Sequence, residues 1–249
     1  MLWFSNVYLQ QTKKLFVMKN PWIEKFGIPL IDVKSINNYC LDSEIELINE
    51  FNNTQKSEYK IHTNIYPAAY GANINEAEII ILVSNPGYDK KEEKKGDYRD
   101  AERIKNNLEV LTETRKEDTF TVGYWEKKLS KLEEISSKEL VNKKVSILEY
   151  FPYHSEKFKP IGKRLMNKHF PNKKYLPSQE YTFHKLEKAV KRGALIICTR
   201  SMKLWFEVFD SLGVDTDNVL ETINKRNPTI SPGNLTNKEK DWERIKSRF

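Results

Sequence analysis

An apolar run at residues 79–83 is followed at once by Ser-Asn-Pro-Gly-Tyr, and this junction constrains the fold more than any other segment. Five consecutive apolar residues are typical of a strand that is buried on both faces. Pro86 cannot continue a sheet ladder and biases Asn85 toward an extended backbone, whereas Gly87 permits a sharp turn. The junction therefore predicts a buried strand with Asn85 at its carboxyl end, where open α/β sheets place their sites.

Three more apolar runs predict strands at residues 145–149, 194–198 and 219–223, and helical periodicities alternate with them. Helices are predicted at residues 124–139 and from Pro177 to about Arg192, with a charged helix at the end of the chain. The alternation indicates an α/β fold of the three-layer α/β/α type, with a central, mostly parallel, four-stranded sheet.

The chain is interpreted as a single domain, residues 1–249, in which residues 1–60 form a mainly helical N-terminal extension. Residues 89–118 are dense in charged side chains and are interpreted as a solvated, partly helical segment. A monomer is expected.

The net charge of +7 favours a polyanionic partner such as nucleic acid, although lysine enrichment in a biased genome would give the same excess. The two cysteines cannot form a disulfide framework or a zinc site, and the four histidines show no i,i+4 pair, so no metal ligand is proposed. No signal peptide or apolar run of membrane-spanning length is present, which favours a cytoplasmic protein without a membrane partner.

Polar loops follow each predicted strand, and the carboxyl ends of parallel strands lie along one sheet edge, so these loops should share one crevice. Ser84-Asn85-Pro86-Gly87-Tyr88 follows the first strand, the second strand ends in Glu149 and leads into Tyr150-Phe151-Pro152-Tyr153, and Thr229-Ile230-Ser231-Pro232-Gly233-Asn234 follows the fourth. In order and strand context, roughly residues 64–247 resemble the branch of the uracil-DNA glycosylase superfamily whose first motif is Asn-Pro-Gly.

The resemblance implies DNA as partner, single- or double-stranded, and hydrolysis of the N-glycosidic bond of an extruded base without a metal or redox cofactor. Asn85 would then hold the attacking water, although a turn-capping amide is the alternative. Gly87 and Tyr88 would line the base, and Phe151 and Tyr153 would stack on it unless they are core residues.

The resemblance also implies DNA contacts in the late loop. Ser231, Pro232, Gly233 and Asn234 would grip phosphates while Ile230 or Leu235 wedges into the duplex. The alternative is a tight turn that caps the last helix through Asn234. Arg200, which follows the third strand, is a further candidate for DNA binding.

Two positions depart from the family pattern. Glu149 stands where the family often has an Asn that reads uracil, and an ionised carboxylate would accept from a cytosine-type amino group but oppose a uracil carbonyl. Thr229 stands where the family often has a catalytic His, and His154 is the candidate substitute as a donor to the departing base.

The leading hypothesis is therefore a monofunctional DNA glycosylase that acts on a modified, cytosine-type base, in repair or in defence against altered foreign DNA such as a phage genome. The alternatives are a uracil-excising repair enzyme, a glycosylase-like nucleic-acid binder that has lost catalysis, and an unrelated small-molecule α/β enzyme.

Overall fold

Four parallel strands form the centre of the protein in the computed structural model, which describes residues 18–115, 124–216 and 219–249. The strands are β1 (Ile79–Val83), β2 (Val145–Glu149), β3 (Leu195–Cys198) and β4 (Val219–Glu221). Their spatial order is β2-β1-β3-β4, and every neighbouring pair is parallel. The predicted α/β fold with a four-stranded parallel sheet is confirmed.

The described residues also form ten α-helices. They are α1 (Pro21–Phe26), α2 (Ile45–Thr54), α3 (Lys90–Lys95), α4 (Ala101–Leu111), α5 (Tyr124–Ile135), α6 (Lys138–Lys144), α7 (Lys163–His169), α8 (Pro177–Lys191), α9 (Met202–Leu212) and α10 (Lys238–Lys246). Within the described ranges, none of the helices has both the length and the apolar character needed to cross a membrane.

The helix predicted at residues 124–139 is wrong in one respect, because α5 ends at Ile135 and a second helix, α6, begins at Lys138. The side chain of Ser137 accepts a hydrogen bond from the backbone N–H of Leu140, which makes Ser137 the N-cap of a new helix. The predicted bounds of α8 agree with the structure to within one residue. Pro177 occupies its first turn, and Gly193 follows its end with a φ of +87°.

Helices cover both faces of the sheet, because side chains alternate between the faces along each strand. One face, which carries Ile80, Leu82 and Ile196, packs against α2, α4, α8 and α9. The other face, which carries Ile81 and Ile197, packs against α5, α6 and α10. The molecule therefore has three layers, with the sheet in the middle.

The described part of the N-terminal extension belongs to the main core. Trp22 and Phe26 of α1 are fully buried, and α1 contacts α4 and α8. Residues 1–17, which complete the predicted extension, lie outside the described residues.

The charged segment at residues 89–118 is more ordered than its composition indicates. It contains α3 and α4, and α4 buries Ile104, Leu108 and Leu111 at helical spacing. Residues 116–118 lie outside the described residues.

Candidate functional site

The loops that follow β1 and β2 run side by side at the carboxyl edge of the sheet. The backbone N–H of Phe151 donates to the carbonyl of Ser84 over 3.0 Å, and that of Tyr88 donates to the carbonyl of Ser155 over 3.1 Å. Two segments predicted to form one site, residues 84–88 and 149–155, are therefore adjacent in the structure.

A cavity of about 420 Å³ opens beside β2, between its outer edge, α4 and the start of α5. Two of the candidate residues, Glu149 and His154, line it. The remaining walls come from residues that sequence reasoning did not select, chiefly Tyr66, Tyr70, Arg103, Asn106, Asn107, Arg115 and Trp125. A concave site of this volume is large enough for a small aromatic ligand.

Glu149 is a buried carboxyl group without a hydrogen-bond partner. Its side chain is 8% exposed, and Oε2 contacts no donor among the residues that the structure describes. Burial raises the pKa of Glu149 well above its usual value, and the guanidinium of Arg200 opposes this shift. Burial therefore favours the protonated form of Glu149, which both donates and accepts, over the ionised, acceptor-only form expected from the sequence.

His154 is a buried neutral imidazole in one defined tautomer. Its Nδ1 lies 2.8 Å from the carbonyl oxygen of Gly87, and burial lowers the pKa of His154 to about 4. Because a carbonyl oxygen only accepts, Nδ1 carries the proton and Nε2 presents a lone pair. Nε2 is buried and makes no well-aligned hydrogen bond in the described ranges, although the backbone of Tyr66 lies close enough to the ring to oppose the lowering of its pKa. With Nδ1 bonded to Gly87, Nε2 accepts in this tautomer, and the role of His154 as a donor to a departing base stays a prediction that requires a different protonation of the ring.

Asn85 lies on the adjoining loop and does not line the cavity. Its Nδ2 donates to the carbonyl of Pro86 and to Oγ of Ser155, each over 2.9 Å. These bonds orient the amide, and no described residue donates to Oδ1. Oδ1 is thus the atom of Asn85 that is able to accept a hydrogen bond from a water molecule.

Gly87 is exposed, and a methyl group added to it would meet no atom within 4 Å. Its φ is not in the left-handed region, so the backbone here does not require glycine.

Tyr88 was predicted to line the extruded nucleobase, but its side chain contacts other residues of the protein. Its ring stacks on His62 with a centroid distance of 3.8 Å and lies nearly parallel to Tyr98, while its hydroxyl donates to Glu93. The ring is thus already engaged within the protein.

Phe151 and Tyr153 are core residues and not a stacking surface. Tyr153 is fully buried, donates its hydroxyl to Oε2 of Glu44 over 2.6 Å and accepts from the backbone N–H of Leu41. Phe151 packs against Tyr153 and Phe158 in the same cluster. The predicted stacking role is corrected for both, because neither ring faces the cavity.

The late loop is a turn that its own side chains hold together. Pro232–Asn234 forms a 3₁₀ turn after Ser231, and Asn234 accepts from the backbone N–H of Asn224 and donates to the carbonyl of Thr229. Gly233 lies within this turn and has open space beside its Cα. Asn234 does not cap the last helix, because Asn237 occupies that position.

The prediction that Ile230 or Leu235 wedges into the duplex is wrong, because both side chains are fully buried in the core that packs against α10. The exposed apolar side chain of this region is Ile223, which is 57% exposed. Its backbone N–H donates to the carbonyl of Asn234, so Ile223 lies directly beside the turn.

Arg200 connects the loop that follows β4 to α5. Its guanidinium donates to the carbonyls of Lys225 and Arg226 and to the hydroxyl of Tyr124. It therefore has a structural role near Glu149, and its side chain remains partly exposed.

Residues 157–174, which follow β2, carry six lysines and one arginine, and three of these lysines are paired with glutamates. Lys157 pairs with Glu58, Lys168 pairs with Glu50, and Lys173 pairs with Glu180. The positive excess of this stretch is therefore smaller than its lysine content indicates.

The cavity-lining residues of α4 were not predicted as site residues, because their segment was interpreted as solvated. Its buried residues recur at Ile104, Leu108 and Leu111, a helical spacing that was available in the sequence. That spacing turns Arg103, Asn106 and Asn107 toward a different side of the helix, and these three line the cavity.

The chain matches no protein-family model, no curated protein and no solved structure. The chemistry of the site is therefore the basis for assigning a function.

Proposed function

We propose that the protein is a DNA glycosylase that hydrolyses the N-glycosidic bond of a base extruded from DNA. The observation that carries the proposal is the pair of unpartnered polar groups on one cavity, the carboxyl of Glu149 and Nε2 of His154. A buried polar atom without a partner costs free energy. Glu149 and His154 both line the cavity and both carry such an atom, which favours a ligand that supplies hydrogen bonds at this wall.

The lining of the cavity suits a nucleobase. Trp125, Tyr66 and Tyr70 supply aromatic surface, and Glu149 and His154 supply hydrogen-bonding groups for the edge of a planar ring. A protonated Glu149, which burial favours, would pair with the amide edge of uracil as well as with the amidine edge of cytosine. Both uracil-type and cytosine-type bases, with or without modification, remain candidates.

The side chain of Asn85 is suited to hold the water molecule that hydrolysis requires. Its Oδ1 accepts from no described residue, and its loop is hydrogen-bonded to the loop that carries His154. We assign Asn85 to the positioning of the water that attacks the sugar carbon. In this scheme the enzyme acts as a cytoplasmic monomer, and the net charge of +7 supports binding to the phosphate backbone.

The decisive experiment incubates the protein with oligonucleotides that differ in one base, including uracil, cytosine and modified cytosines, in single- and double-stranded form. Alkali then cleaves the strand wherever a base has been released. We expect one class of base to give cleavage, and Asn85→Ala to abolish it. If no oligonucleotide yields an abasic site, the proposal fails.

A second candidate is a nucleic-acid binder without catalysis, because Thr229 replaces the expected His and Asn85 lies outside the cavity. In that case the protein would bind DNA with a strong dependence on salt but release no base. Absence of DNA binding as well would favour a small-molecule enzyme.

A further inference from the structure

Glu149 occupies a position from which it can act on a bound base. It is the last residue of β2, and its side chain lies on the same side of the strand as Ile147, which also lines the cavity. The carboxyl group is 8% exposed, and its Oε2 has no partner in the described part of the chain. Glu149 therefore belongs to the cavity wall and has hydrogen-bonding capacity that no described residue uses.

The charged and titratable groups around Glu149 come from five parts of the chain. Arg200 approaches from the loop after β3 and Tyr124 from α5, while the cavity adds Tyr66, Tyr70, His154, Asp100, Glu102, Arg103 and Arg115. Burial has the largest effect on Glu149, and Arg200 opposes it. The net result is a carboxyl group that keeps its proton in a pH range where an exposed glutamate is ionised.

Other groups near the cavity are less suited to give a proton to a leaving base. Nε2 of His154 is an acceptor, and Nδ1 is bonded to Gly87. The hydroxyl of Tyr70 is bonded to the carbonyl of Leu111. Glu149 thus combines a raised pKa with a carboxyl oxygen that no described residue bonds.

We propose that Glu149 is the general acid of the reaction and protonates the base as it departs. This inference rests on the proposed glycosylase function. The bond between the sugar carbon and the base nitrogen breaks, and its electron pair stays with the base, which receives the proton of Glu149. The water oxygen bonds to the sugar carbon, and the proton that it loses restores the Glu149 carboxyl. One water molecule is consumed.

The test uses Glu149→Gln, which retains a donor and an acceptor but has no transferable proton. Single-turnover excision should fall by about 100- to 10,000-fold, the range typical of general acid catalysis. Binding of the free base, followed by fluorescence of Trp125 at the cavity wall, should be retained. Glu44→Gln is the matched control, because Glu44 is also a buried carboxyl but lies outside the cavity, and it should excise normally when folded.

The pH profile gives a second readout. The wild-type excision rate should fall as pH rises through the pKa of Glu149, and the residual rate of Glu149→Gln should lack this dependence. Infrared spectroscopy at neutral pH should detect the carbonyl band of a protonated carboxyl that is missing in the variant.

Two failures are distinguishable. If the wild type excises a base and Glu149→Gln does so equally fast, the general-acid role is overturned while the glycosylase function stands. If the wild type excises no base from any oligonucleotide, the glycosylase function itself fails, whatever the infrared band shows.

Discussion

Nδ1 of His154 lies 2.8 Å from the carbonyl oxygen of Gly87, so the loop after β2 is hydrogen-bonded to the loop after β1 beside the cavity. The bond has two consequences. It determines which nitrogen of His154 carries the proton, and it positions the exposed Gly87 above the buried imidazole.

The first prediction concerns the protonation of His154. Because burial lowers the pKa of His154 to about 4, ¹⁵N NMR at neutral pH should find Nδ1 protonated and Nε2 unprotonated. The ring should take up a second proton only near pH 4. Since the pKa of the folded state lies below the unfolded value of 6.5, His154 contributes stability that is present above pH 6.5 and is lost as pH falls through about 4. Titration of the His154 signals near pH 6.5 would contradict the assignment, and His154→Ala identifies those signals.

The second prediction uses Gly87→Ala. The added methyl group meets no atom within 4 Å, so stability should stay the same or rise by up to about 1 kcal/mol. If bound DNA lies against the exposed Gly87, the added methyl group should lower the rate of excision at least about tenfold. Gly162→Ala, which also enters open space, is the control and should leave excision unchanged. Equal rates for the two variants would refute a role for the surface around Gly87.

The third prediction concerns the exposed side chain beside the late turn. If Ile223 inserts into the duplex, Ile223→Ser should weaken DNA binding by about 1.5–3 kcal/mol, the value of burying such a side chain. Ile28→Ser is matched in exposure, at 56% against 57%, and should bind DNA normally. Fluorescence anisotropy with a labelled duplex measures both, and unchanged affinity for Ile223→Ser would eliminate Ile223 as the wedge.

The fourth prediction tests whether Tyr153 stabilises the fold without taking part in excision. In Tyr153→Phe, Glu44 loses a donor and the N–H of Leu41 loses an acceptor, so the free energy of unfolding should fall by about 1–3 kcal/mol. Excision by the folded protein should be unchanged, because the ring does not face the cavity. Urea denaturation checks the first expectation. Tyr59→Phe, whose hydroxyl has no hydrogen bond within the described residues, should lose no stability.

The fifth prediction concerns Glu44, whose pKa burial raises to about 7. A raised pKa contributes stability that is fully present below the unfolded value of 4.5 and is lost as pH rises through about 7. The loss should be on the order of 3 kcal/mol. Glu44→Gln cannot ionise, so urea denaturation across this range should show a smaller loss than in the wild type. Parallel pH profiles for the two proteins would show that Glu44 does not titrate in this way.

Much of the fold was predictable because its signals are local. The apolar run at residues 79–83 becomes β1, since an uninterrupted apolar segment of that length is typical of a strand buried on both faces, and the mainly apolar segment at residues 145–149 becomes β2. Pro86 and the polar residues around it end the first run. The polar loops could therefore be assigned to the carboxyl edge of the sheet before any contact was known.

The sequence by itself determined the strands, the sheet class and the adjacency of the Asn85 and Glu149 loops, because these follow from apolar runs and chain direction. Only the tertiary structure decided that the Glu149 carboxyl is buried without a partner, that Nδ1 of His154 lies against the carbonyl of Gly87, and that Tyr153 is bonded to Glu44. Protonation and exposure depend on the packing of segments far apart in the chain. Tyr153 and Glu44, for example, are 109 residues apart in sequence, and no local pattern brings them together.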